Sequence, residues 1–434
     1  MNFAKSFRCS RLGGASLGLG LLAVAGWGCG SGSGMRVSKL ETPSAGQSQS
    51  ADPALAIVPE SGDLMLSWIE GDGKVWELYA ARSADGGRKW SSPVRVAGGA
   101  EAPEEVHPHG ESSPRLVVAP GRRVALIWPN NMAVPGRKWP AAMLRFARSS
   151  DGGLYWSRPI TLNDDTTRAP VSHQFHGAAW SGDSGLTVAW LDEREVAEPL
   201  ASGSDGHAEH AAEPDASIYL ATSPDFGRSW GPNRRGWAAA CPCCRVSLAR
   251  GKGGQAVAAW RQHFPGNVRD VVTAVAGDRS TEPKRVHQDD WAYAGCPHTG
   301  PAIATGGDGT VHVAWYTGKE GRPGVYYARQ TPNGAGPAVE LVTGRGLGVA
   351  HPAVVALPDG GALASYDVSA DGKRKISLAR VLPSGRLGGR LVVEGSEEGK
   401  YPQLAILGDT TAVVAWTSSV GNGSRMGLAR VNFR

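Results

Sequence analysis

The chain has 434 residues, among them 60 Gly, 29 Pro and 15 Trp, with 41% hydrophobic and 20% charged residues. This composition excludes coiled coils and long helical bundles, which need Ala-, Glu-, Lys- and Leu-rich helical repeats, and it excludes disorder because apolar content is ample. A formal charge of +5 gives no reason to expect a nucleic-acid partner.

Residues 1–28 read as a signal peptide. Lys5, Arg8 and Arg11 form a positive start, and the apolar stretch from Leu12 to Gly26 falls short of the roughly 20 residues a membrane span needs. Two cleavage points compete. Ala23-Val24-Ala25 fits the small-residue pattern, whereas Gly28-Cys29 followed by Gly30-Ser31-Gly32-Ser33-Gly34 resembles a bacterial lipoprotein site with a tether behind it. Cysteine parity favours the second, because lipidation of Cys29 leaves an even number in the mature chain, as suits an oxidising compartment. The expected organisation is a signal over 1–28, a tether over 29–34 and a single domain over 35–434. The expected location is periplasmic or cell-surface, with a lipid anchor in the outer membrane as the chain's sole membrane attachment.

From there, short apolar runs alternate with Gly-containing turns. First runs begin at Pro53, Ser113, His176, Cys244, Gly300, His351 and Tyr401. Second runs end in a large aromatic at Trp68, Trp128, Trp190, Trp260, Trp315, Tyr366 and Trp416, 50 to 70 residues apart. Third runs often end in Ala-Arg, as at Arg82, Arg148, Arg329, Arg380 and Arg430. Repeated units of three strands plus a weaker fourth describe an all-β propeller. Seven repeats imply seven blades, with a six-bladed ring as the alternative. The last unit stops after its third strand at Asn432-Phe433-Arg434, so Met35-Arg36-Val37-Ser38-Lys39-Leu40 is expected to supply the missing outer strand.

Three turns between third and fourth strands share the pattern S-x-D-x-G-x-x-W: Ser83–Trp90, Ser149–Trp156 and Ser223–Trp230. This pattern is the Asp-box, or bacterial neuraminidase repeat, and the chain resembles the sialidase superfamily over most of its length. Later units keep remnants such as Thr331-Pro332-Asn333-Gly334. The resemblance implies a propeller with Asp-boxes on the face opposite the active site. It further implies an arginine triad on the substrate carboxylate, a Tyr nucleophile paired with Glu, and an Asp acid/base. The positions that answer to it are Tyr401 as nucleophile, with Arg115 and Arg269 as arginines; the usual F/Y-R-I-P motif of the first blade is absent. The segment from Cys241 to Pro301, with CPCC, Arg261, Arg269-Asp270, Asp289-Asp290-Trp291 and GCPHTGP, is similar to a signature of exported sialidase-like proteins of undefined function.

Residues just before the inner strands of a propeller converge on its axis, and here they are rich in His and Cys. His107, His109 and Glu111 precede the second unit, and His173 and His176 the third. Cys241, Cys243 and Cys244 lead the fourth, Cys296 and His298 the fifth, and His351 opens the sixth. One reading is a zinc or copper site drawing on Cys241, Cys243, Cys244, Cys296, His176, His298 and His351. A second is two disulfides, whose three connectivities the spacing leaves open, although the adjacent Cys243 and Cys244 each suit a distant partner such as Cys296. A third is redox-active thiols. Arg261, His263, Arg269 and Asp270 follow a second strand on the same face, where Arg261 and Arg269 would orient an anionic group. The loop from Asp192 to Pro214 is long enough to be a lid or an insertion.

The leading function is binding of a small-molecule or glycan ligand in the central pocket by a monomer, with bound metal as the sharper version. A sialidase-like glycoside hydrolase and a protein-interaction scaffold are the alternatives.

Overall fold

The computed structural model describes residues 34–433, except 100–105, 136–139, 166–169, 197–214, 278–279, 332–333, 347 and 371. The signal segment, Cys29, most of the tether and the greater part of the Asp192–Pro214 loop lie outside the described residues, as does part of the remnant at 331–334. A compact unit running from Ser33 onward holds every described residue.

The described elements are antiparallel strands with two 3-10 turns. They form six sheets, of which four have four strands and one has five. The eight-stranded sheet is two four-stranded groups joined through the single pair Ala240–Gln262. Within each group the strands pair in chain order. The first strands touch one another in succession, from Gln49–Ile57 through Arg115–Ala119, His173–Ser181, Ser247–Arg250, Ala302–Thr305 and Gly348–Ala356 to Gly399–Gly408. The last of these touches the first. Met35–Leu40 runs antiparallel to Gly423–Phe433, in register from Met35 opposite Phe433 to Leu40 opposite Leu428.

Second strands are the cores of these groups. Leu64–Gly71 and Gly185–Asp192 are buried at every position, because both faces of the sheet are covered by neighbouring sheets. The aromatic that ends each run is therefore sealed, and a buried indole N–H favours an acceptor, which four of the six tryptophans find on their own strand; Trp315 donates to Asp289 and Trp128 Nε1 has no partner. Residues two apart share a face of a strand, so the acceptor sits at the second residue onward. Trp68 donates to Glu70 at 2.6 Å, Trp190 to Asp192 at 2.8 Å, Trp260 to Gln262 at 2.8 Å and Trp416 to Ser418 at 3.0 Å.

The three S-x-D-x-G-x-x-W turns have one hydrogen-bonding scheme. The Ser hydroxyl accepts from the Gly four residues on, at 2.8, 2.9 and 2.7 Å, and donates to the Asp carboxylate. The same carboxylate takes the backbone N–H of Lys89, Tyr155 or Ser229, which closes the turn.

Candidate functional site

Four first strands carry a bulge at their entrance, where the register slips between Ala51 and Ala54, Gln174 and Gly177, Ala350 and Ala353, and Lys400 and Gln403. The extra residue in each, Asp52, Phe175, His351 or Tyr401, has φ between 46° and 55°. Non-glycine residues seldom occupy this region, and bulges commonly re-aim side chains beside sites. Three of the four precede proline, which lacks the N–H that a bulged position leaves unpaired.

These entrances form the mouth of a central channel. Tyr401 lies across the His351 ring with centroids 3.9 Å apart, and a Cβ on Gly110 would overlap the Tyr401 ring. Asp367 accepts from His351 Nδ1 at 2.6 Å and from the Tyr401 N–H at 3.3 Å, and also pairs with Arg374. Buried Glu111 accepts from Arg245 Nη1 at 2.8 Å and from the Gly300 N–H at 3.4 Å, while Arg245 Nη2 reaches the Pro352 carbonyl at 2.7 Å. Asp52 accepts from the His109 N–H at 2.6 Å. Burial pushes its carboxyl up to about 6, against the pull of that bond and of Arg115. Burial, reinforced by Glu111, Asp367 and Asp52, drives the Tyr401 phenol well above its ordinary value.

Below the mouth, a cavity of about 160 Å³ is lined by Arg115, Arg245, Ser247, Pro352 and Gln403 among others. Arg115 donates through Nε to the His176 carbonyl at 3.1 Å, but its Nη2 is sealed from solvent with no partner. Burial and the neighbouring Arg245 lower Arg115 to about 10, which leaves it charged at neutral pH. Arg115 and Arg245 thus line one small polar space, an arrangement suited to a carboxylate or similar anion.

The cysteines form a separate cluster. Cys243 and Cys296 are disulfide-bonded, whereas Cys241 and Cys244 are free and buried. Cys241 Sγ lies 3.6 Å from Cys244 Sγ and 4.0 Å from Cys243 Sγ, and Arg269 Nη1 donates to it at 3.0 Å. The Cys244 hydrogen bond, with Arg261 and Arg269, pulls the Cys241 thiol down to about 6 against its burial; burial pushes Cys244 the other way.

The expected mixed Cys/His metal shell is not assembled. Among the described residues, the ligand atoms gathered within 4.8 Å of one another at this cluster are those of Cys241, Cys243 and Cys296 alone, and the bridge removes two of the thiolates. His176 Nε2 instead donates to the Ile127 carbonyl at 3.0 Å, and burial lowers it to about 3. His351 is held by Asp367, and His298 is exposed near His109. The second grouping, Asp165, His173 and Asp192, is an ion network: His173 Nε2 and Nδ1 face the two carboxylates at 3.1 and 3.0 Å. Those bonds outweigh burial and raise the ring above its ordinary range.

The expected ligand-binding set is also dispersed. Arg261 gives its guanidinium to the carbonyls of Arg269, Thr299 and Tyr316. Asp270 accepts from Arg285 and from the Asp290 and Trp291 N–H groups, and His263 bridges Asp215 and Asn267 away from the channel. Of the trio Tyr401, Arg115 and Arg269, the first two share the surroundings of Glu111 and Asp52, while Arg269 belongs to the cysteine cluster. Arg245, Asp52 and Asp367 were not singled out from the sequence. The recurring X-Pro at strand entrances, in Asp52-Pro53, Ser113-Pro114, Gly300-Pro301, His351-Pro352 and Tyr401-Pro402, is the signal that marks Asp52.

With this geometry in view, the solved structures it resembles can be placed. One is the BP39L lectin from Burkholderia pseudomallei, with a TM-score of 0.59 and 13% identity over 88% of this chain and 96% of that one. Another is a polysaccharide lyase of family PL25, an ulvan lyase bound to a GlcA(1-4)Rha3S saccharide, with a TM-score of 0.55 and 10% identity over 87% and 93%. A third is the Penicillium chrysogenum α-L-arabinanase complexed with arabinobiose, with a TM-score of 0.50 and 15% identity over 92% and 98%. The fold is a β-propeller. No family model matches the chain, and no curated protein matches it significantly.

Proposed function

We propose that this chain is an exported, lipid-anchored, sialidase-like propeller of seven blades that binds an acidic glycan end at its central mouth. The seven-blade reading counts the double sheet as two blades. Closure of the ring rests on the succession of touching first strands and on the pairing of Met35–Leu40 with the last strand. The observation that carries the ligand class is Arg115. A half-buried, charged side chain whose Nη2 is sealed and unpartnered, lining a cavity of about 160 Å³ together with Arg245, suits an anion small enough to enter. A carboxylate on a terminal sugar meets that size, leaving the ring to stack on Tyr401 and His351 at the mouth. The saccharides held by the arabinanase and ulvan lyase structures support the glycan class.

Calorimetric titration with oligosaccharides ending in uronic or sialic acid, against neutral controls, tests this reading. Acidic ends should bind and neutral ends should not. Arg115→Gln should weaken binding about 10- to 100-fold, the worth of one charge-assisted hydrogen bond. Equal binding of both sets, or none, overturns it. For the anchor, labelling with radioactive palmitate should vanish in Cys29→Ser.

A sialidase-like hydrolase is the second reading, favoured by Asp52. A carboxyl raised to about 6 beside Tyr401 and Glu111 is poised to act as an acid. Release of fluorophore from a fluorogenic sialoside, lost in Tyr401→Phe, would support it; inactivity of the parent chain would remove it.

A further inference from the structure

The cysteine cluster has no part in the glycan site, yet its sulfurs are contiguous, with those of Cys241, Cys243 and Cys296 all within 4.8 Å of one another. Cys244 Sγ is 3.6 Å from Cys241 Sγ, Cys241 Sγ is 4.0 Å from Cys243 Sγ, and Cys243 is bonded to Cys296. The first three residues are buried, and Cys296 alone is half-buried, in the Gly295–Gly300 segment next to the exposed His298. Arg269 donates to Cys241 Sγ, and Arg261 stands close by. A cationic donor on a sulfur stabilises the thiolate, which is the attacking species in disulfide exchange. Two sealed thiols that served packing alone would need no guanidinium.

We propose that Cys244, Cys241, Cys243 and Cys296 form a thiol–disulfide relay that carries two electrons from the buried pair to a disulfide substrate at the surface. The Cys241 thiolate attacks Cys243 Sγ; the Cys241–Cys243 bond forms, the Cys243–Cys296 bond breaks, and the electron pair leaves on Cys296 as a thiolate. Cys296 attacks the external disulfide, forming a mixed disulfide and releasing one substrate thiolate, which takes a proton from water. Cys244 then loses its proton and attacks Cys241, which frees the Cys243 thiolate. Cys243 attacks Cys296, restoring the original bridge and releasing the second substrate thiolate. The balance is two protein thiols and one substrate disulfide consumed, one Cys241–Cys244 disulfide and two substrate thiols formed. The substrate class is an accessible disulfide; an external dithiol, oxidised to its own disulfide as the relay runs in reverse, resets the buried pair.

The mature chain treated in native buffer with dithiobis(nitrobenzoate), itself an aromatic disulfide, tests the relay. Two thionitrobenzoates should appear per chain, and peptide mapping should then find Cys241–Cys244 and Cys243–Cys296. Cys244→Ser should release one and trap the probe on Cys296, since nothing remains to resolve it. A measurement on the unaltered chain guards against a folding defect in that variant: slow iodoacetamide trapping should alkylate Cys296 and leave Cys241 bridged to Cys243 or, once Cys244 has attacked, to Cys244. No release until the chain is unfolded in urea overturns the relay. So does alkylation of Cys241 or Cys244 with the Cys243–Cys296 bridge intact, or isolation of the chain with four free thiols and a stoichiometric soft metal.

Discussion

At the mouth of the channel, Asp52 occupies a left-handed bulge with its carboxylate against the His109 N–H, and burial holds its pKa at about 6, above the ordinary 3.8. A carboxyl raised in the folded state favours folding fully below the unfolded pKa, and that contribution is lost as pH rises through the folded one. The shift corresponds to about 3 kcal/mol. Asp52→Asn should therefore flatten the decline in thermal stability between pH 4 and 7 while still accepting from His109; parallel melting curves for the two proteins would contradict the assignment. Cys241 presents the opposite case. Its thiolate is favoured by Cys244, Arg261 and Arg269, so reaction with dithiobis(nitrobenzoate) should level off above about pH 7. Arg269→Gln should move that profile to higher pH, an effect that loss of packing alone does not produce.

The elements repeat a few local solutions. In each S-x-D-x-G-x-x-W turn the serine hydroxyl accepts a buried glycine N–H, so removing it leaves that donor unsatisfied at a cost of about 1–2 kcal/mol. Ser83→Ala and Ser149→Ala should each lower stability to urea by that amount, and the double variant by the sum, because the two turns belong to different sheets. A change below about 0.3 kcal/mol would show that the turns close without the hydroxyl. Four of the second strands solve another problem in the same repetitive way, placing an acceptor two residues beyond the tryptophan. Glu70, Asp192 and Gln262 would read from sequence as surface residues, and two of them, Glu70 and Asp192, are among the most buried polar groups.

For the whole molecule, the pairing of Met35–Leu40 with Gly423–Phe433 ties residues near the two ends of the chain. Without it the last strand would present a row of unpaired backbone groups, an invitation to edge-to-edge association. Deleting residues 35–40 should lower the melting temperature and produce concentration-dependent association by light scattering. An unchanged, monomeric, equally stable variant would show that the strand is dispensable. The inner strands complete the same scale, since each contributes its entrance to one mouth.

Much of this was legible in the residues themselves. Strand positions, the buried aromatics and the serine–aspartate turns follow from spacings of two to eight residues, over which alternation and turn chemistry act directly. The meeting of Tyr401, His351 and Arg115 with the surroundings of Glu111 and Asp367 is in keeping with the reading that strand entrances converge. Which side chains meet there did not follow, because the partners are remote: Arg245 and Glu111 are 134 residues apart, and the Asp52 N–H finds Thr417 365 residues away. The histidines and cysteines look like one ligand set in sequence because they share entrance positions. Packing parts them, since His176 is claimed by a carbonyl and His173 and His351 by carboxylates, whereas the cysteines are gathered by one short segment and by Cys296 from the loop before Ala302–Thr305. Sequence determined the repeated unit through local periodicity; tertiary structure alone decided the site, because only the packing of units against one another fixes which distant groups must satisfy one another once water is removed.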